Sequence, residues 1–226
     1  MIGMIGRASL VAAGVALLVV AWTPFPGFGG TNAHGALAGH MLQHLVVMNG
    51  AALLFAVAIR PKIRGLLAVS TVLQIVLLWG WHVPPVYATA SHDIVLAVLM
   101  QASLLAAGFL FWSALLAHPV AKSWQTILAA LVTAKAFCLF GAVLCFARRP
   151  LYPAHGEPLW GQGTWGLSAL DDQQLAGLLM MASCAVVYVV AAVALFLRWM
   201  NQMGDKASEA GKVGEARGAA WRPADA

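Results

Sequence analysis

The sequence predicts an all-α fold, a polytopic membrane bundle of about six transmembrane helices. Three observations carry this reading. Hydrophobic residues make up 62% of the chain and charged residues only 9%, with a mean hydropathy of +0.83, a balance no water-soluble core requires. Apolar runs near the length that crosses ~30 Å of hydrocarbon recur along it. Lys and Arg, finally, gather in alternate short loops, as the positive-inside rule demands.

The elements follow in order. The first run, Met1 to Trp22, has Arg7 as its minimal charged start. Its apolar stretch is long, which favours a retained signal-anchor helix over a cleaved signal peptide. The second runs from Ala36 to Ile59. The third, Gly65 to Trp81, is short and is expected to reach back a little into Arg64. Pro84 and Pro85 are expected to stop it and open a loop through Ser91. The fourth, His92 to Ala117, begins at Ser91-His92-Asp93, and the sixth, Asp171 to Met200, follows Ser168. Both read as helix starts, with Ser as cap and an acid in the first turn. The fifth spans Ser123 to Ala147. Residues 1–200 thus form the bundle. The tail, 201–226, is rich in Ala, Gly, Lys and Glu without an apolar period and is expected to be disordered.

Orientation comes from the loops. Arg60, Lys62 and Arg64 separate spans two and three, Lys122 separates four and five, and Arg198, Lys206, Lys212, Arg217 and Arg222 follow span six. These regions belong to the cytoplasm, which makes the chain an inner-membrane protein with loops at Gly27–His34, Pro84–Ser91 and Arg148–Leu170 outside. The formal charge of +5 is accounted for in this way, so nucleic acid is not an expected partner; lipid is. Cys138, Cys145 and Cys184 lie inside apolar runs and are expected to be inert thiols.

With this topology the polar residues converge on the outer rim. His40 and His44 stand four apart on one helix face, ~6 Å along the axis. His82 closes span three between tryptophans and Pro-Pro. Polar groups inside a membrane are costly and are usually kept for function. Imidazole with the nearby thioethers of Met41 and Met48 is a copper preference. The plainer reading is that the histidines only hydrogen-bond carbonyls or interfacial water. The helix dipole accounts for Asp93 and Asp171 without any metal, whereas Asp172 and the deeper Met181 are weaker candidate ligands. Lys135, near the middle of span five, has no acid at its depth. No nucleotide-binding loop, nucleophile elbow or zinc-protease helix is present.

The motifs His40-Met41-Leu42-Gln43-His44, Trp81-His82-Val83-Pro84-Pro85-Val86-Tyr87, Gly108-Phe109-Leu110-Phe111-Trp112, Tyr152-Pro153 and Asp172-Gln173-Gln174-Leu175-Ala176-Gly177 with Met180-Met181 stand in one order. In this the chain resembles the CtaG-type cytochrome c oxidase assembly factors, over residues 39–200. The resemblance implies a non-enzymatic protein that partners cytochrome c oxidase subunits and handles copper for their outward-facing centre. The expected metal ligands are His40, His44 and His82, with Asp172 and Met181. A haem-binding electron-transfer protein and a metal-free structural subunit of an oxidase are the alternatives. Two departures stand out. Family members commonly carry a Glu-His pair where this chain reads Met100-Gln101, and many have seven spans.

Overall fold

The computed structural model describes residues 4–22, 37–61, 63, 65–119, 123–152 and 167–220. The helices are α1 (Met4–Trp22), α2 (Leu37–Leu45), a π turn (Val46–Ala51), α3 (Ala52–Ile59), α4 (Leu67–Trp81), α5 (Pro84–His92), α6 (Ile94–Ala117), α7 (Ser123–Phe146) and α8 (Ala169–Ala220). Helix α2, the π turn and α3 form one span, Leu37–Ile59. Among the described residues, five helices are long and apolar enough to cross a membrane, and a sixth span results if the bent pair α4–α5 counts as one. The all-α membrane class expected from composition is what the structure has. The loops at 27–34 and 153–166 lie outside the described residues. So do Lys62, Arg64, Lys122 and Arg222, and with them part of the orientation argument.

Small residues set the close helix crossings, as bilayer bundles require. Gly177 of α8 meets α7 so closely that a Cβ there would run into the Gly141 carbonyl and lie 2.7 Å from the Cys145 amide. On α6, a Cβ on Gly108 would stand 2.9 Å from the Met48 carbonyl oxygen. The Trp112 indole N–H donates to that same oxygen at 3.0 Å. Met48 lies in the π turn, where the Ala52 amide reaches back five residues to Val47. Helix α1 packs at the edge through Gly14, which faces the Phe55 ring.

The bundle is polar inward and aliphatic outward. On α4, Ser70, Thr71 and Gln74 are buried while Val69, Val72 and Val76 are exposed. The Gln74 amide donates to Thr133 of α7 at 3.1 Å. Lys135 lies on the exposed side of α7, so it is not accommodated by pairing inside the bundle. All three cysteines are free thiols.

Four expectations need correction. Span three does not extend back toward Arg64 as regular helix, because α4 begins at Leu67. Its 15 residues reach only ~22 Å. A second helix, α5, follows at once, bent 75° away, in the segment expected to be a loop. Val83 is extended there, and Pro84 and Pro85 occupy the first turn of α5. Proline ends one helix but suits the first positions of the next, where no amide is needed. At α6 the cap is Asp93 rather than Ser91. Its Oδ1 accepts from Val95 at 2.7 Å and Leu96 at 3.2 Å. The tail is not disordered over residues 201–220, for α8 runs unbroken to Ala220. A helix already nucleated in the membrane adds residues without a new nucleation cost, and the Ala, Glu and Lys of this segment are strong helix formers. The expected start of span six holds, since Ser168 Oγ accepts from the Asp171 amide at 3.2 Å and donates to its carboxylate at 2.6 Å.

Candidate metal centre

His40, His44 and His82 meet at the end of the bundle where α2 begins and α4 ends. One ring nitrogen from each lies within 4.8 Å of the others. His44 and His82 are buried and His40 is partly so. The i, i+4 spacing brings His40 and His44 together, and the break between α4 and α5 turns His82 toward them. Tyr87, in the first turns of α5, stacks on His82 at 5.7 Å and meets His40 edge-on at 5.0 Å. Phe140 of α7 covers His82 at 5.3 Å.

Hydrogen bonding selects which nitrogen faces the centre. His82 Nδ1 donates to the Leu78 carbonyl at 2.7 Å. In a neutral ring that leaves Nε2 with a lone pair, and Nε2 is buried with no hydrogen-bond partner. An orphaned buried acceptor costs ~1–3 kcal/mol, so this one calls for an explanation. His44 Nδ1 lies 3.2 Å from Gln101 Oε1. With the amide oxygen as acceptor, Nδ1 carries the hydrogen and His44 Nε2 is also a lone-pair donor. That atom stands 2.7 Å from His40 Nε2. Two bare lone pairs at this distance would repel each other. A hydrogen on His40 Nε2, or a cation in its place, converts the repulsion into attraction. Ligand nitrogens at about 2.0 Å from an ion in trigonal array would be about 3.5 Å apart. Small side-chain rotations bridge that spacing and the observed one, so the donor set fits a metal ion.

The surrounding motif residues hold this end together. Asp172 of α8 caps α2: its Oδ2 accepts from the Leu37 amide at 2.5 Å and its Oδ1 from Ala38 at 3.2 Å. This buried carboxylate is thereby engaged three residues before His40. Gln173 clasps the other side, accepting from the Leu151 amide at 2.6 Å and donating to the Leu144 carbonyl at 3.1 Å. Four residues on, Gly177 makes the close crossing with α7. The Tyr152 hydroxyl donates to the His82 carbonyl at 2.6 Å, and burial raises its phenol above the ordinary range, so it remains a donor. Met181 packs against Gly141, and its carbonyl receives the Cys138 thiol at 3.8 Å. Among the sequence candidates, then, three histidines converge, Asp172 caps a helix, and Met181 sits in the α7–α8 contact. His92 is exposed at the end of α5.

Sequence reasoning did not single out Tyr87, Gln101 or Phe140 as part of this centre. Gln101 carried a usable signal, being a polar residue well inside an apolar run. Tyr87 carried one as the last residue of the Trp81–Tyr87 motif; Phe140 carried none, since aromatic residues abound in such helices.

Residues 66–202 match the family model described as cytochrome c oxidase caa3 assembly factor (Caa3_CtaG). The matched segment contains His82, Gln101, Tyr152 and the Asp172–Gly177 motif, while His40 and His44 precede it. Comparison with curated proteins and with solved structures gave no match. The matched segment covers more than half of the chain, and its motif residues are those that build one end of the bundle. The chain belongs to the caa3-type cytochrome c oxidase assembly factor family.

Proposed function

We propose that this protein binds copper through the Nε2 atoms of His40, His44 and His82 at the outer face of the inner membrane and passes it to a cytochrome c oxidase during assembly. Family membership supplies the assembly role. The observation that supports the metal is the buried, partnerless Nε2 of His82 facing two other imidazoles within 4.8 Å. Neutral imidazoles suit copper and zinc alike. A family serving a copper-containing oxidase favours copper as cargo. A set of three ligands leaves room for an incoming ligand from a recipient, which is what release requires. The centre's role is binding and transfer rather than catalysis. Haem draws less support: the three rings touch edge to face at 4.2–5.8 Å and are closed in by Tyr87 and Phe140, a packing suited to an ion.

One deletion strain tests the proposal. Copper, haem and assembled oxidase are measured together. The expected result is oxidase polypeptide that is made and contains haem but lacks copper and activity, with partial recovery when copper is added. Haem deficiency untouched by copper would favour a haem carrier. Reduced complex at every copper level would favour a scaffold. Normal copper content and normal activity would refute the assembly role in that cell.

A further inference from the structure

At the opposite end of the bundle, a cavity of about 490 Å³ opens between α3, α6 and α8. It lies 20 residues along the same span from His40, ~30 Å away at 1.5 Å per residue. Its lining includes Arg60, Arg198, Ser113, Val57 and Leu116. We propose that it binds the phosphate group of an anionic phospholipid from the leaflet on the Arg-rich side of the membrane.

Four features of the cavity support this. Two arginines from separate elements, the end of α3 and the middle of α8, line it, and among the described residues no carboxylate joins them in the lining. Ser113 is 1% exposed, and its hydroxyl has no hydrogen-bond partner. A buried hydroxyl in this state is an unused donor beside two cations, which is what a phosphate oxygen would satisfy. Arg60 has φ +49°, a left-handed conformation that favours glycine. Its Nε donates to Val57 O at 3.2 Å, and among the described residues its terminal guanidinium nitrogens have no hydrogen-bond partner. Finally, the carbonyls ending α3 would repel an anion, but Arg7 covers two of them. Its Nε donates to Ala58 O at 2.8 Å and its Nη2 to Ile59 O at 3.2 Å. Val57 and Leu116 add an apolar part to the lining. A headgroup with attached acyl chains fits this mixed lining better than a free ion does. Basic pockets between helices are a known way of holding anionic headgroups.

The test uses the full chain purified in mild detergent. Native mass spectrometry and lipid extraction measure retained phosphatidylglycerol against phosphatidylethanolamine. Wild type should keep phosphatidylglycerol preferentially. Arg60→Gln with Arg198→Gln should lose that preference by at least tenfold, and Ser113→Ala should lower it several-fold. Arg148→Gln, an exposed arginine at the histidine end, should retain it. Copper content of the double variant reports that the bundle is intact and should match wild type, because the cavity is remote from the histidines. Equal phosphatidylglycerol retention in the double variant and wild type would overturn the site. Binding of millimolar inorganic phosphate by a wild type that retains no lipid would assign the cavity to a free phosphate ion and overturn the lipid.

Discussion

Asp172 offers the sharpest test of how this end of the protein works. As a ligand it would hold metal directly; as the cap of α2 it would only fix the turn that carries His40. The structure gives it two amide donors, Leu37 and Ala38. Amide bonds to a charged acceptor contribute about 1.5–3 kcal/mol net, and a lost N-cap typically costs ~1 kcal/mol, with an upper range of about 2. These overlap at about 1.5–2 kcal/mol, which is how far Asp172→Ala should loosen the first turn of α2. Asp172→Asn keeps one acceptor oxygen and should cost about half as much. At about 1.4 kcal/mol per decade, the alanine variant should speed hydrogen exchange at the Leu37 and Ala38 amides by roughly 10–30-fold. The asparagine variant should speed it by about tenfold or less. Copper affinity, read by competition with a chromophoric chelator, should fall in the same order. The loss should stay within the 10–100-fold that orienting groups usually command. His44→Ala should lose more, with exchange at Leu37 unchanged. If Asp172→Asn exchanged like wild type yet lost copper as fully as His44→Ala, the capping account would be wrong and Asp172 would be a ligand.

Other outcomes follow from the same geometry. His82→Ala should reduce bound copper strongly and His92→Ala should not, as read by elemental analysis of folded protein; equal content in all three would count against the histidine centre. Gly177→Ala forces a Cβ against backbone of α7 and should destabilise by about 1–3 kcal/mol. Gly80→Ala, with nothing within 4 Å, should be close to neutral in a detergent melting assay. Single cysteines at Ala88 and Lys62 should differ in labelling by an impermeant reagent in intact cells. Ala88 should react and Lys62 should not, and reaction at Lys62 would reverse the orientation.

The sequence by itself determined the class and, to within one, the number of spans. Twenty-residue apolar runs admit few other fates, because hydrogen bonds within a helix are the only way to satisfy an isolated backbone segment in lipid. It also marked His40, His44 and His82, since polarity inside such a run is conspicuous. Proline was misread at positions 84 and 85: its chemistry marks a helix boundary without saying that a new helix begins at once. Helix propensity in residues 201–220 was outweighed in the reading by the lack of an apolar period, although a helix extending from a membrane span needs none. What only the tertiary structure decided was the role of each polar group. Asp172 was a weaker candidate ligand from its motif and depth, and the structure has its carboxylate capping a helix 135 residues away in sequence. Gln101 gained its part from contact with His44 across 57 residues. A hydrogen bond forms in three dimensions, and spacing along one helix cannot tell which neighbouring helix will supply the other half.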